Sequence, residues 1–179
     1  AAWMEQHVGG KFDGVISAMT QASLPTIVDV GANTSGSLLA LLADLAPDLK
    51  DAGVEIGLIV VATAEVGALA EAPRLMQMAK PFASASFLIE NRVRGEVDGK
   101  VIGKIADGAT VSVLAEHIME EQAVALYQAG GLASIPKLDA GKLNDRHGLA
   151  LSARIRRDLA RFRLEAMEAV RPAAEWLVG

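Results

Sequence analysis

Short, nearly continuous apolar runs separated by helix-length segments constrain this chain more than any other feature. Thr26-Ile27-Val28-Asp29-Val30, Val54 to Ala62 and Ser86 to Ile89 are apolar at successive rather than alternate positions. A strand of that kind is buried on both faces, which predicts a mainly parallel sheet with helices on both sides. A fourth short strand is expected over Leu132 to Ile135, stopped by Pro136.

The intervening segments read as helices. Trp3 to Met19 carries a stripe of Met4, Val8, Phe12, Val15, Ile16 and Met19, weakened by three glycines. Leu38 to Leu49 follows, with Ser35 or Ser37 able to cap its start. Glu65 to Lys80 is helical, with Pro73 inside the pattern as an expected kink. Arg92 to Gly108 reads as a polar, Gly-rich loop with a hairpin around Asp98-Gly99. Val113 to Gln128 is expected to be a helix closed by Gly130-Gly131, and Leu149 to Val170 a long one that can continue past Pro172. At 179 residues this is one α/β domain by size, long enough to fold on its own core.

Composition enters as a set of exclusions. With no cysteine, the chain has no disulfide, thiolate metal site or Cys nucleophile. A formal charge of -5 gives no global pull toward nucleic acid or anionic membrane, so such contacts must be local. No apolar run reaches membrane-spanning length and no signal peptide is evident, so no membrane partner and a cytoplasmic location are expected. The chain opens Ala1-Ala2-Trp3 without Met, inside what reads as a helix. Removal of Met, a cut edge and missing upstream sequence all fit that start.

In a parallel sheet, ligands bind where loops leave the carboxyl ends of the strands. The segments to inspect are Asp29 to Gly36, Thr63 to Gly67, Glu90 to Arg94 and Pro136 to Leu138. Asp29 is a carboxylate at an expected strand tip, followed by Gly31, where backbone can approach a ligand, and by Asn33. That arrangement suits a metal or water-positioning role beside a phosphate, or simply a capped turn.

These residues resemble the ParA/MinD family of nucleotide switches. Val28-Asp29-Val30-Gly31 is similar to the family's switch motif, and Leu58 to Thr63 to the strand after it. Phe87-Leu88-Ile89-Glu90-Asn91-Arg92 resembles the strand ending in Asn-Arg or Asn-Lys, and Ser134-Ile135-Pro136-Lys137-Leu138 the late Ile-Pro loop. The layout is nearest to TraL-like accessory proteins of conjugative plasmids. The resemblance implies a P-loop NTPase-like fold with its N-terminal strands missing, and a role in plasmid transfer, partition or positioning. It assigns Asp29 to catalysis and Mg²⁺, and Gly31, Asn33, Asn91, Arg92 and Pro136 to the nucleotide. It also implies a homodimer, and ATP with Mg²⁺ wherever a P-loop is present.

The chain departs from the family in having no P-loop. Gly9-Gly10-Lys11 lacks the preceding strand and glycine, and Phe12 follows where a hydroxyl is needed. The family order puts the P-loop strand, a helix and a second strand ahead of the present first helix. Two alternatives stay open: a degenerate, non-catalytic scaffold, and a methyltransferase. Asp29-Val30-Gly31-Ala32-Asn33 also resembles motif I of S-adenosylmethionine methyltransferases, although its glycine is displaced to Gly36 and no acidic residue ends the next strand.

Two further features complete the reading. His7, His117 and His147 show no metal-ligand spacing and are expected to be solvated or capping, and Glu116, Glu120 and Glu121 to be a solvent-facing helix face. The C-terminal helix holds five arginines against one Asp between Ala153 and Arg163, over a stripe of Ile155, Leu159, Phe162, Ala166 and Val170. Arg154, Arg157 and Arg161 share a flank that could meet a DNA backbone non-specifically, cover apolar surface with their stems, or dock a protein.

Overall fold

The computed structural model describes residues 2–179, with side chains from Phe12 onward. Gly9, Gly10 and Lys11 lie outside the residues whose side chains are described, as do His7, Met4 and Val8. The elements in order are α1 (Ala2–Gln21), α2 (Ser35–Asp44), α3 (Ala46–Asp51), β1 (Ile56–Ala62), α4 (Val66–Ala79), β2 (Ala83–Asn91), α5 (Gly99–Ala106), β3 (Thr110–Leu114), α6 (Glu121–Ser134), α7 (Ala140–His147) and α8 (Leu149–Val178). A 3₁₀ turn, Ile135–Lys137, joins α6 to α7.

The three strands form one all-parallel sheet in the order β1-β2-β3. Alternation along each strand assigns its two faces. Val60, Ala62 and Leu88 look toward α4 and α5, where Ala72, Met76, Ile102, Ile105 and Ala106 complete a buried core. On the other face lies α8. Ser112 of β3 donates its Oγ proton to the Ala169 carbonyl at 2.6 Å, and Phe87 packs on Trp176 with ring centroids 6.2 Å apart. The fold is therefore α/β, with a parallel sheet and helices on both faces. Trp176 lies over Gly57, where its ring leaves no room for a Cβ. The rest of β1 on that face is poorly covered: Ile59 is 44% exposed and Val61 56%.

Beyond the carboxyl edge, the N-terminal half of α8 carries a small helical lobe. Ile155 and Leu159 pack with Ala123 of α6 and with Ile135, while α7 turns into α8 at Gly148, whose φ of 76° favours glycine. On the amino-terminal side, Phe12 packs with Leu38, Leu39, Leu42 and Leu49. Among the described residues, no helix is long and apolar enough to cross a membrane.

Several expectations need correction. Thr26 to Val30 is not a strand. It has no sheet neighbour, and Ile27 is 76% exposed; of this run Val30 packs against the Leu38 cluster. Leu132 to Ile135 is helical: Gly131 breaks the path of α6 at φ 63°, and Ile135 turns into the helical lobe rather than toward the sheet. The expected hairpin at Asp98-Gly99 is the start of α5, where Asp98 Oδ1 accepts from Lys100 N at 2.7 Å. The single helix expected from Val113 begins instead at Glu121, because Thr110 to Leu114 pairs with β2.

Smaller corrections follow the same physics. Neither Ser35 nor Ser37 caps α2; Thr34 precedes it without a side-chain capping bond, and Ser35 Oγ donates to Ala32 O within the turn. The buried stripe of α8 uses Ala169 and Ala173, leaving Val170 exposed. Glu116 lies in a loop and Glu120 at the start of α6, so they form no helix face with Glu121. Pro73 and Pro172 both lie inside helices, as the pattern suggested.

Candidate functional site

β1 and β2 run in the same direction and end side by side. Ala62 is the register partner of Glu90, so Thr63 and Asn91 leave the sheet as neighbours at its carboxyl edge. Glu90 sits in an apolar strand and is 3% exposed. A buried carboxylate needs partners, and two residues give it three hydrogen bonds. Arg92 Nε donates to Oε1 at 3.0 Å and Nη2 to Oε2 at 3.1 Å, while Val97 N donates to Oε1 at 2.9 Å. Burial pushes the Glu90 carboxyl upward, but Arg92 and the Val97 amide outweigh it and hold it below the ordinary range.

The loops beyond are tied by the same chemistry. Arg92 also meets Glu96 at 3.0 Å, and Arg94 reaches Glu65 of the β1–α4 loop at 3.3 Å. Arg92 N donates to Leu114 O at 2.9 Å, extending the β2–β3 ladder by one rung. Asn91 Oδ1 accepts from Val93 N at 3.3 Å, which closes a small turn and leaves the amide NH₂ as a donor at the rim. After β3, His117 Nδ1 lies 3.2 Å from Glu165 Oε2 on α8, with Phe162 beside the ring at 5.7 Å. Its side chain is buried, not solvated as expected, because the loop after β3 folds back onto α8.

The residues expected in one site fall on separate elements. Asn91 and Arg92 stand at the carboxyl edge with Thr63. Asp29, Gly31 and Asn33 lie in the exposed segment before α2, so Asp29 is not at a strand tip. Pro136 belongs to the helical lobe, next to Ile135, which packs on Ile155 and Leu159. Among the described residues no group of three or more His, Asp or Glu could hold a metal ion. Thr34 and Ser35, after Asp29, point their hydroxyl protons at Gly31 O and Ala32 O of their own turn.

Arg154, Arg157 and Arg161 are exposed on α8. Arg154 pairs with Glu120 at 2.7 Å and Arg161 with Glu165 at 2.9 Å. An open cavity of about 480 Å³ lies at the opposite end of the sheet, lined by Lys80, Ser84, Ser86, Asp107, Thr110 and Trp176, away from the carboxyl edge. Reading the sequence missed Glu90, Glu65 and Arg94 as partners at the rim. The available signal was a carboxylate directly after the apolar run Phe87-Leu88-Ile89, with Arg two residues later.

No protein-family model, curated protein or solved structure matches the chain.

Proposed function

We propose that this chain is the sheet core of a nucleotide-switch protein of the ParA/MinD/TraL type, acting in plasmid transfer, partition or positioning. As it stands, the chain supplies a rim for the base and holds no phosphate. The observation that carries the reading is the parallel β1–β2 pair, which delivers Thr63 and the Asn91-Arg92 pair together to the carboxyl edge. Asn91 meets the base through its free amide donor. Arg92 is a positioning residue, held by Glu90 and Glu96 so that the turn carrying Asn91 keeps its shape. The scaffold is non-catalytic by itself.

DNA contact by Arg154, Arg157 and Arg161 stays outside this reading: Arg154 and Arg161 face Glu120 and Glu165, and a net charge of -5 gives no global pull toward DNA. Phosphate affinity in nucleotide sites comes largely from backbone amides in a Gly-rich loop and a lysine, which the chain does not offer. Titration with adenosine and with ATP and Mg²⁺, followed by amide NMR shifts, tests the reading. Weak shifts centred on Thr63, Asn91 and Arg92, of similar size for the two ligands and lost in Asn91→Ala, are expected. Shifts elsewhere, or none, would sink it. Tight binding of S-adenosylmethionine in a parallel titration would replace it with the methyltransferase reading.

A further inference from the structure

The outward face of α8 carries a second regular stripe that packs on nothing among the described residues. The buried stripe runs through Ser152, Ile155, Leu159, Ala166, Ala169 and Ala173. Five residues on, about 140° round the helix, runs Ala153, Ala160, Leu164, Met167, Ala174 and Val178. All six are exposed, Leu164 by 63%, Met167 by 50% and Val178 by 79%. Arg157 and Arg171 fill the two remaining places, so the stripe keeps the three-and-four spacing of a coiled-coil seam.

Charge beside the seam is divided by sign. Each residue following an Ala or Met of the seam's second position is charged: Arg154 and Arg161 in the first half, Glu168 and Glu175 in the second. We infer that a second copy of this chain covers the stripe, its α8 antiparallel to the first. With Leu164 opposite the partner's Met167, Arg154 falls opposite the partner's Glu175 and Arg161 opposite the partner's Glu168. Each such pair is offset by about 3 Å along the axis, within reach of these side chains. The same register puts Arg157 and Arg171 against alanines, where their stems can lie flat.

Other arrangements place like charges together. Sliding one helix by a heptad sets Arg161 against its own copy in one direction and Glu168 against its own copy in the other. A parallel pair stacks Arg157 on Arg157 and Arg171 on Arg171 in the seam itself. The present intrachain partners of these groups are exposed ion pairs, including Arg171 with Glu168 at 3.1 Å, and such pairs hold their members loosely. Exchange of partners on dimerisation is therefore open to all four charges. The interface needs no nucleotide, so it stands apart from the function proposed above.

Sedimentation equilibrium of the full chain at low salt, without nucleotide, tests the inference. The wild type is expected at twice the chain mass. R154E/R161E and E168R/E175R are each expected to fall to monomer with unchanged far-UV circular dichroism, and their equimolar mixture to return to dimer. L164K, which disturbs no ion pair, is also expected to be monomeric. A monomeric wild type, dimers that survive both double changes and L164K, or a mixture that stays monomeric would overturn it. A monomeric wild type that binds DNA with a log–log salt slope of about −3 would assign the arginines to phosphate instead.

Discussion

Arg92 grips Glu90 with both prongs of its guanidinium, Nε to Oε1 at 3.0 Å and Nη2 to Oε2 at 3.1 Å, across the last turn of backbone before β2 leaves the sheet. The carboxylate is buried and the guanidinium reaches solvent on one side, so the pair caps the core beneath it. Glu90→Ala leaves Arg92 and the Val97 amide without their acceptor. Loss of about 2–3 kcal/mol in urea unfolding is expected, from charged hydrogen bonds removed at a buried site. Arg92→Lys, which cannot make the fork, should lose part of that. A loss within error for both variants would show the pair to be ornamental.

The same pair sets a pH dependence. The Glu90 carboxyl is lowered from its ordinary 4.5, so the unfolded chain takes up a proton before the folded one does. Its contribution to stability is fully present above about pH 4.5 and disappears as the pH falls through the lower, folded value. The stability gap between wild type and Glu90→Gln should therefore be constant from neutral pH down to mildly acid and narrow below that. A gap that widens on acidification would contradict the sign. Glu165, lowered by Arg161 first and by His117 as well despite partial burial, adds to the same acid loss.

Gly57 has its function in what it lacks. A Cβ there would meet the Trp176 ring, its Cε3 at 2.9 Å, and neither the strand nor the end of α8 can yield cheaply. Gly57→Ala is expected to cost about 1–3 kcal/mol through overpacking, read as a lower melting temperature. Trp176→Leu in the same background should recover part of it. No recovery would mean that the cost lies in the strand and not under the ring.

Ser152 is wholly buried on the inner stripe of α8, and its Oγ has no hydrogen-bond partner among the described residues. Removing an unsatisfied buried hydroxyl relieves a desolvation cost, and alanine is the better helix former. Ser152→Ala should leave stability unchanged or raise it by up to about 1 kcal/mol. A clear destabilisation would reveal a role for the hydroxyl that the fold does not explain.

Helices α4 and α8 and strands β1 and β2 were legible before any coordinates. The apolar stripe of α8 and the run Leu58 to Ala62 carry their own periodicity, and a helix satisfies its backbone groups internally. Strands are different, because their amides are satisfied only by a neighbour. Thr26 to Val30 has strand composition and no neighbour, so it stays unpaired ahead of α2. Thr110 to Leu114, hidden between a polar loop and a helix-like stretch, lies along β2 and becomes a strand. The candidate site split for that reason. Asn91 reached the carboxyl edge with the strand that carries it, whereas Asp29 lies in a segment that joins no strand. Residue type and spacing by themselves determined which segments could be helix or strand and that a parallel sheet would result. Only the tertiary structure decided which extended run found a partner, since that depends on the geometry of a second segment far away in the chain.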